Sequence, residues 1–174
     1  MDEEYKVLRE ELRMSFSNIV TYTTVMYTAS NVILVFALGK DEFYFCLVPL
    51  LVILPLYLLC ENQHRQICRL GAYLYVFCEG EHFNWEHRLH YFDLVENPKR
   101  EIASTLPTIT LVAACCISSI IKIWVSKTFG NIYLLVPAIA LAISMYIVFS
   151  KRVQYPSTRS KYIREWEEVK KKMK

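Results

Sequence analysis

With 174 residues, 54% of them hydrophobic, a mean hydropathy of +0.23 and only four glycines, the chain is too apolar, and too unevenly so, for an ordinary soluble domain. The net charge of +3 is modest, and no nucleic acid is expected as a partner. No nucleotide loop, complete metal pattern or nucleophile elbow is present, so composition points to a membrane protein rather than to a particular reaction.

Four runs approach the roughly 20 apolar residues that a helix needs to cross a hydrocarbon core. They are 16–38, 43–60, 106–125 and 131–149. The expected fold is therefore all-α and integral to the membrane, a single domain of four transmembrane helices arranged as two hairpins, with cytoplasmic helical extensions. Acidic residues follow Met1 where a secretory signal would be basic, so the first run is expected to stay. Of the 20 basic residues, all but Lys40, Lys122 and Lys127 fall before the first run, between the second and third, or after the fourth. That bias places both termini and the central block on the cytoplasmic face of an inner (plasma) membrane.

Residues 1–15 read as an amphipathic N-terminal helix, capped by Asp2, with Tyr5, Leu8 and Leu12 on one side. With no Pro or Gly before Phe16, it is free to run into the first span. Within that span Ser17, Thr21, Thr24, Thr28 and Asn31 recur in steps of three and four, the rhythm of a helical seam. These five form a candidate seam or pore stripe, something other than lipid being expected to face them. Gly39 to Glu42 make a turn, and Pro49 and Pro55 then predict two mild kinks in the second span.

The block 61–105 holds most of the unusual chemistry. A stalk carries Ile67, Leu70, Leu74 and Phe77 at core spacing and is expected to stop at Gly80. Asn84 would cap a short helix presenting Trp85, Leu89 and Phe92 to it. Cys60, His64 and Cys68, with His82, His87 and His90 beyond, suggest zinc ligands, but three donors at steps of four lie too far apart to converge on one ion. No metal or other cofactor is expected. Glu86, His90 and Asp93 invite an acid–base reading that lacks a nucleophile, and no catalytic residue is assigned.

Ser104 or Thr105 is expected to cap the third span, with Pro107 in its first turn. Thr108, Cys115, Ser119, Lys122 and Ser126 form a second small polar stripe there, and Lys122 is expected to snorkel outward. Leu47-Val48-Pro49 and Leu135-Val136-Pro137 sit alike in the two hairpins, which raises a duplication alongside chance. Residues 155–174 read as a basic amphipathic C-terminal helix, with Tyr162, Trp166, Val169 and Met173 on one side, suited to an anionic leaflet or to a partner helix. The six cysteines are expected to be free thiols.

The run from Arg69 to Glu79, followed by Phe83 to Arg88, resembles a pattern of uncharacterised small bacterial multi-pass membrane proteins. Ala72, Tyr73, Val76, Phe77, Glu79, Trp85, Glu86 and Arg88 carry the resemblance, which implies no activity. Tyr73, Phe77, Glu79, Trp85, Glu86 and Arg88 are the candidate cytoplasmic contact residues, to which a protein or small-molecule signal would bind. No carboxylate lies inside a span, which argues against ion-coupled transport. The leading expectation is a non-enzymatic homo-oligomer in the lipid bilayer, a channel-like or membrane-perturbing effector controlled through its cytoplasmic block. The alternatives are a membrane scaffold or assembly factor without conduction and, third, a membrane-bound enzyme.

Overall fold

The computed structural model describes residues 2–78, 99–126 and 131–173. Among them the chain is helical, without a strand. Five α-helices follow in order: α1 (Asp2–Leu38), α2 (Leu50–Tyr73), α3 (Lys99–Ser126), α4 (Leu135–Lys151) and α5 (Tyr155–Lys172). Short 3₁₀ turns, Phe43–Leu47 and Asn131–Leu134, lead into α2 and α4, and α2 loosens at its end into a π-helical turn, Leu74–Cys78. Four helical stretches are long and apolar enough to cross a membrane.

Two compact units share these helices. The apolar unit comprises Thr21–Leu59 and Ala103–Arg152, and the charged unit comprises Met1–Val20, Cys60–Ile102 and Val153–Lys174. In the apolar unit all four spanning helices feed one core, in which Met26, Ile53, Tyr57, Val112, Cys115 and Val148 meet. Tyr57 is 3% exposed, and its hydroxyl donates to the carbonyl of Val148 at 2.9 Å, so the polar end of the ring is satisfied where water is excluded.

Pro49 and Pro137 stand near the starts of regular helices. Pro49 does not kink α2 as expected; it precedes the first residue of that helix, at the close of the 3₁₀ turn. Its missing N–H therefore costs no ladder bond, and its carbonyl accepts from the amides of Val52 and Ile53, each at 2.9 Å. Pro137 is the third residue of α4, which also follows a 3₁₀ turn, so Leu47-Val48-Pro49 leads into its helix whereas Leu135-Val136-Pro137 opens one. Both prolines are fully buried. Only Pro55 lies inside α2.

Pro107 departs from expectation in the other direction. No cap operates at Ser104 or Thr105, because α3 starts at Lys99 and runs through Pro107. Such a passage deprives one carbonyl in the preceding turn of its amide partner, a loss that spanning helices tolerate when local groups compensate. Beyond the proline, Thr110 donates its hydroxyl to the Pro107 carbonyl at 2.7 Å.

Lys122 ties α3 to the end of α1. Its ammonium donates to the carbonyl of Ala37 at 3.0 Å and to that of Lys40. The Ala37 carbonyl also accepts from the Lys40 backbone amide at 3.1 Å, so the ammonium adds a second, charged donor where it meets the negative end of the helix dipole. One turn earlier on α3, the Ser119 hydroxyl, fully buried, donates to the Phe43 carbonyl at 3.2 Å. The Phe43 ring lies 6.0 Å from that of Tyr133, so the two 3₁₀ turns also touch. Lys122→Met is expected to lower the stability of the detergent-solubilised protein by about 1–2 kcal/mol, with Lys122→Arg less damaging. A thermal unfolding curve that does not move for Lys122→Met would contradict the capping role.

Candidate functional site

Two features carry the chemistry. The first is the outward face of α1, a helix that buries only 11% of its apolar window, against 39% for each of the second and third spanning stretches. Leu12, Ser15, Met26, Ser30 and Ala37 are its buried residues. At 100° per residue these occupy one side of the helix. Ser17, Thr21, Thr24, Thr28 and Asn31 occupy the opposite side, and all five are exposed.

The stripe is thus not an internal seam. The hydroxyls of such residues have a local acceptor: Thr28 donates to the carbonyl of Thr24 at 2.8 Å, the i−4 back-bond available to any helical threonine. Asn31 is different in kind, since an amide offers two donors and an acceptor that its own helix cannot saturate. The second small polar stripe turns the other way. Thr108, Cys115 and Ser119 are buried, and Lys122 is half-buried against the end of α1. Small side chains at those positions let α3 approach its neighbours closely.

The second feature lies in the charged unit, on the stalk that ends at Cys78. Trp85, Leu89 and Phe92, together with Gly80 and Asn84, lie outside the described residues, as do Glu79, Glu86 and Arg88. What covers the described stalk is the apolar side of α5: Ala72 and Val76 pack on Ile163, with Tyr75, Phe77, Tyr162 and Trp166 around them. Of the candidate contact residues, Tyr73 and Phe77 stack on each other at 4.9 Å, and both meet the Trp166 ring edge-on, at 5.1 and 6.0 Å. The Trp166 indole N–H donates to the carbonyl of Arg69 at 3.3 Å, while the Arg69 guanidinium lies over the same ring. Further along, Lys170 donates to the carbonyl of Val76, near the loosened π-helical turn.

On its other side the stalk packs against α1. Leu12 meets Ile67 and Leu74, and the Tyr73 hydroxyl donates to the Glu4 carboxylate at 2.8 Å. A groove of about 430 Å³ follows, lined by Glu4, Leu8 and Glu11 from α1, by Gln66, Arg69, Leu70 and Tyr73 from α2, and by Trp166. Sequence spacing does not reveal Glu4 or Trp166 as neighbours of Tyr73, although the tryptophan on the apolar side of α5 marks that side as one needing cover.

A buried carboxylate fixes the start of α5. Glu61 is 5% exposed; one oxygen accepts from the Val153 backbone amide at 2.6 Å, and the other lies 3.8 Å from His64 Nδ1. The amide belongs to the short link between α4 and α5. Cys60 and Cys68 are buried thiols, and among the described residues no three His, Cys, Asp or Glu side chains are grouped to hold a metal ion. All six cysteines are free, five of them buried.

The chain matches no family model, no curated protein and no solved structure. Trp166→Ala removes the ring that Tyr73, Phe77 and Arg69 share, and is expected to cost the charged unit about 2–4 kcal/mol. Limited proteolysis should then cut the link at 152–154 faster than in the unaltered chain. Unchanged cleavage would mean that α5 is held elsewhere.

Proposed function

We propose that the chain is a non-enzymatic integral membrane protein that works as a homo-oligomer, a channel-like or membrane-perturbing effector whose first spans turn their polar faces toward one another. The charged unit lies on the cytoplasmic side and receives a protein or small-molecule signal. One observation carries the reading: the stripe from Ser17 to Asn31 is exposed on the side of α1 opposite its packed face. Hydroxyls can bond to their own helix, but an amide held in hydrocarbon favours a neighbour that answers its donors. Copies of the chain in the same membrane present the same stripe at the same depth. Four helices that fill their own core leave no lumen among themselves, so a water-lined path requires several copies.

Orientation is tested first. Reporter fusions after Lys40 and after Lys127 are expected to read external, and fusions after Asn97 and after Lys174 cytoplasmic, because Lys and Arg are concentrated on that side. An external reading at Asn97 would reverse the arrangement.

The stripe is tested by thiol chemistry. In a chain cleared of its native cysteines, single cysteines at Thr21, Thr24 and Thr28 are expected to react with a small charged reagent, whereas Val25 and Val32 on the flank are protected by lipid. Protection of all five positions removes the water-lined path. If copies still cross-link through Thr24→Cys, the interface is dry, and the scaffold reading replaces the channel-like one.

A further inference from the structure

The polar stripe is the middle of a longer pattern. Continued at the same alternating steps toward the start of α1, it passes through Met14, Glu10, Val7 and Glu3; continued the other way, it passes through Val35 and Leu38. All of these positions are exposed. Val7 and Met14 are 66% and 53% exposed, and they stand one heptad apart in the column that runs on through Thr21, Thr28 and Val35. Both precede the apolar run that begins at Phe16, where water rather than lipid would surround them. Exposed apolar side chains one heptad apart fill one of the two columns by which a helix packs lengthwise on another; the second column holds Glu3, Glu10 and Ser17.

From this we infer that α1 is an interface over nearly its whole length, and that its occupant is a second copy of this chain, parallel and in register, paired outside the hydrocarbon through Val7 and Met14. The inference rests on the homo-oligomer proposed above, since copies inserted in one membrane have parallel α1 helices. Charge fits that arrangement. With Val7 and Met14 in the seam, Lys6 takes one flank and Glu11 the other, at the spacing by which a parallel pair brings Lys6 of one copy beside Glu11 of the next. Glu3 and Glu10 fall in the seam itself, where each would face its counterpart in the second copy, and Glu10 lies between Val7 and Met14. Arg13 grips Glu10 from one turn on, with Nε and one terminal nitrogen donating to the two carboxylate oxygens at 2.9 and 2.5 Å. That layer is the weak point of the pairing, a polar position of the kind that fixes register at a cost in affinity.

The experiment uses the full chain in lipid nanodiscs and in detergent. Glu10→Leu removes a like-charge layer and is expected to tighten association at least tenfold, while Met14→Glu adds such a layer and weakens it by a similar factor, both read by sedimentation across a dilution series. Opposite shifts at neighbouring exposed positions are not produced by a solvated surface. In a cysteine-cleared chain, Val7→Cys and Met14→Cys are expected to cross-link copies with a short bifunctional maleimide, whereas Phe16→Cys, exposed on another side, is not. Circular dichroism checks that each variant keeps its helix content. If Thr24→Cys and Asn31→Cys cross-link but Val7→Cys and Met14→Cys do not, and both charge variants associate like the unaltered chain, the extension is wrong and the homo-oligomer stands. A monomer at every concentration, with no cross-link at any position, overturns both.

Discussion

The contact on which the apolar unit turns is the ammonium of Lys122 against the Ala37 carbonyl near the end of α1 and the Lys40 carbonyl in the turn that follows. A helix packed only by apolar side chains can rotate about its axis by a few tens of degrees at modest cost, because dispersion is non-directional. A charge-assisted hydrogen bond to the helix end is directional. Lys122 adds such a bond at the end of the helix that carries Met26 and Ser30 inward and Thr24 and Asn31 outward.

The same logic orders the charged unit. Its segments from α1, α2 and α5 are each only partly apolar, and none buries its face alone. Leu12 against Ile67 and Leu74, and Ile163 against Ala72 and Val76, provide that burial. Polar groups then set the register, with Glu4 on Tyr73, the Trp166 indole on the Arg69 carbonyl, and Glu61 on the Val153 amide. Each is a long-range bond in sequence, so the unit depends on segments from the beginning, middle and end of the chain being present together.

Much of the element plan was legible in advance, since spans declare themselves by length and by the absence of charge. Boundaries were less so. Pro49 and Pro107 carry the same local penalty, yet one precedes a helix and the other lies within one, because tertiary packing decides whether a lost hydrogen bond is avoided or absorbed. The direction of the polar stripes was the harder matter. Those of α1 and α3 have similar composition and similar rhythm, and periodicity identifies a face without saying what it faces. On α3 the small residues admit close neighbours and turn inward; on α1 the larger Met26, Tyr27 and Leu34 pack into or against the core, and the hydroxyls are left outside. The apolar side of α5 was visible from Tyr162 and Trp166, but its choice of the stalk over a lipid surface depends on Tyr73 and Phe77 being at hand.

The length of α1 has a consequence for how the protein meets bilayers of different thickness. Its 37 residues rise about 55 Å, whereas the Thr105–Val125 stretch, at 21 residues, rises about 31 Å and matches a hydrocarbon layer of roughly 30 Å. A thicker layer would strain the third and fourth stretches, 21 and 20 residues long, which have little spare apolar length. It would merely bring more of α1 toward the headgroups, beginning with Met14 and the grip of Arg13 on Glu10. Hydrophobic mismatch would therefore fall on helices of unequal apolar reach, with α1 having helical length to spare.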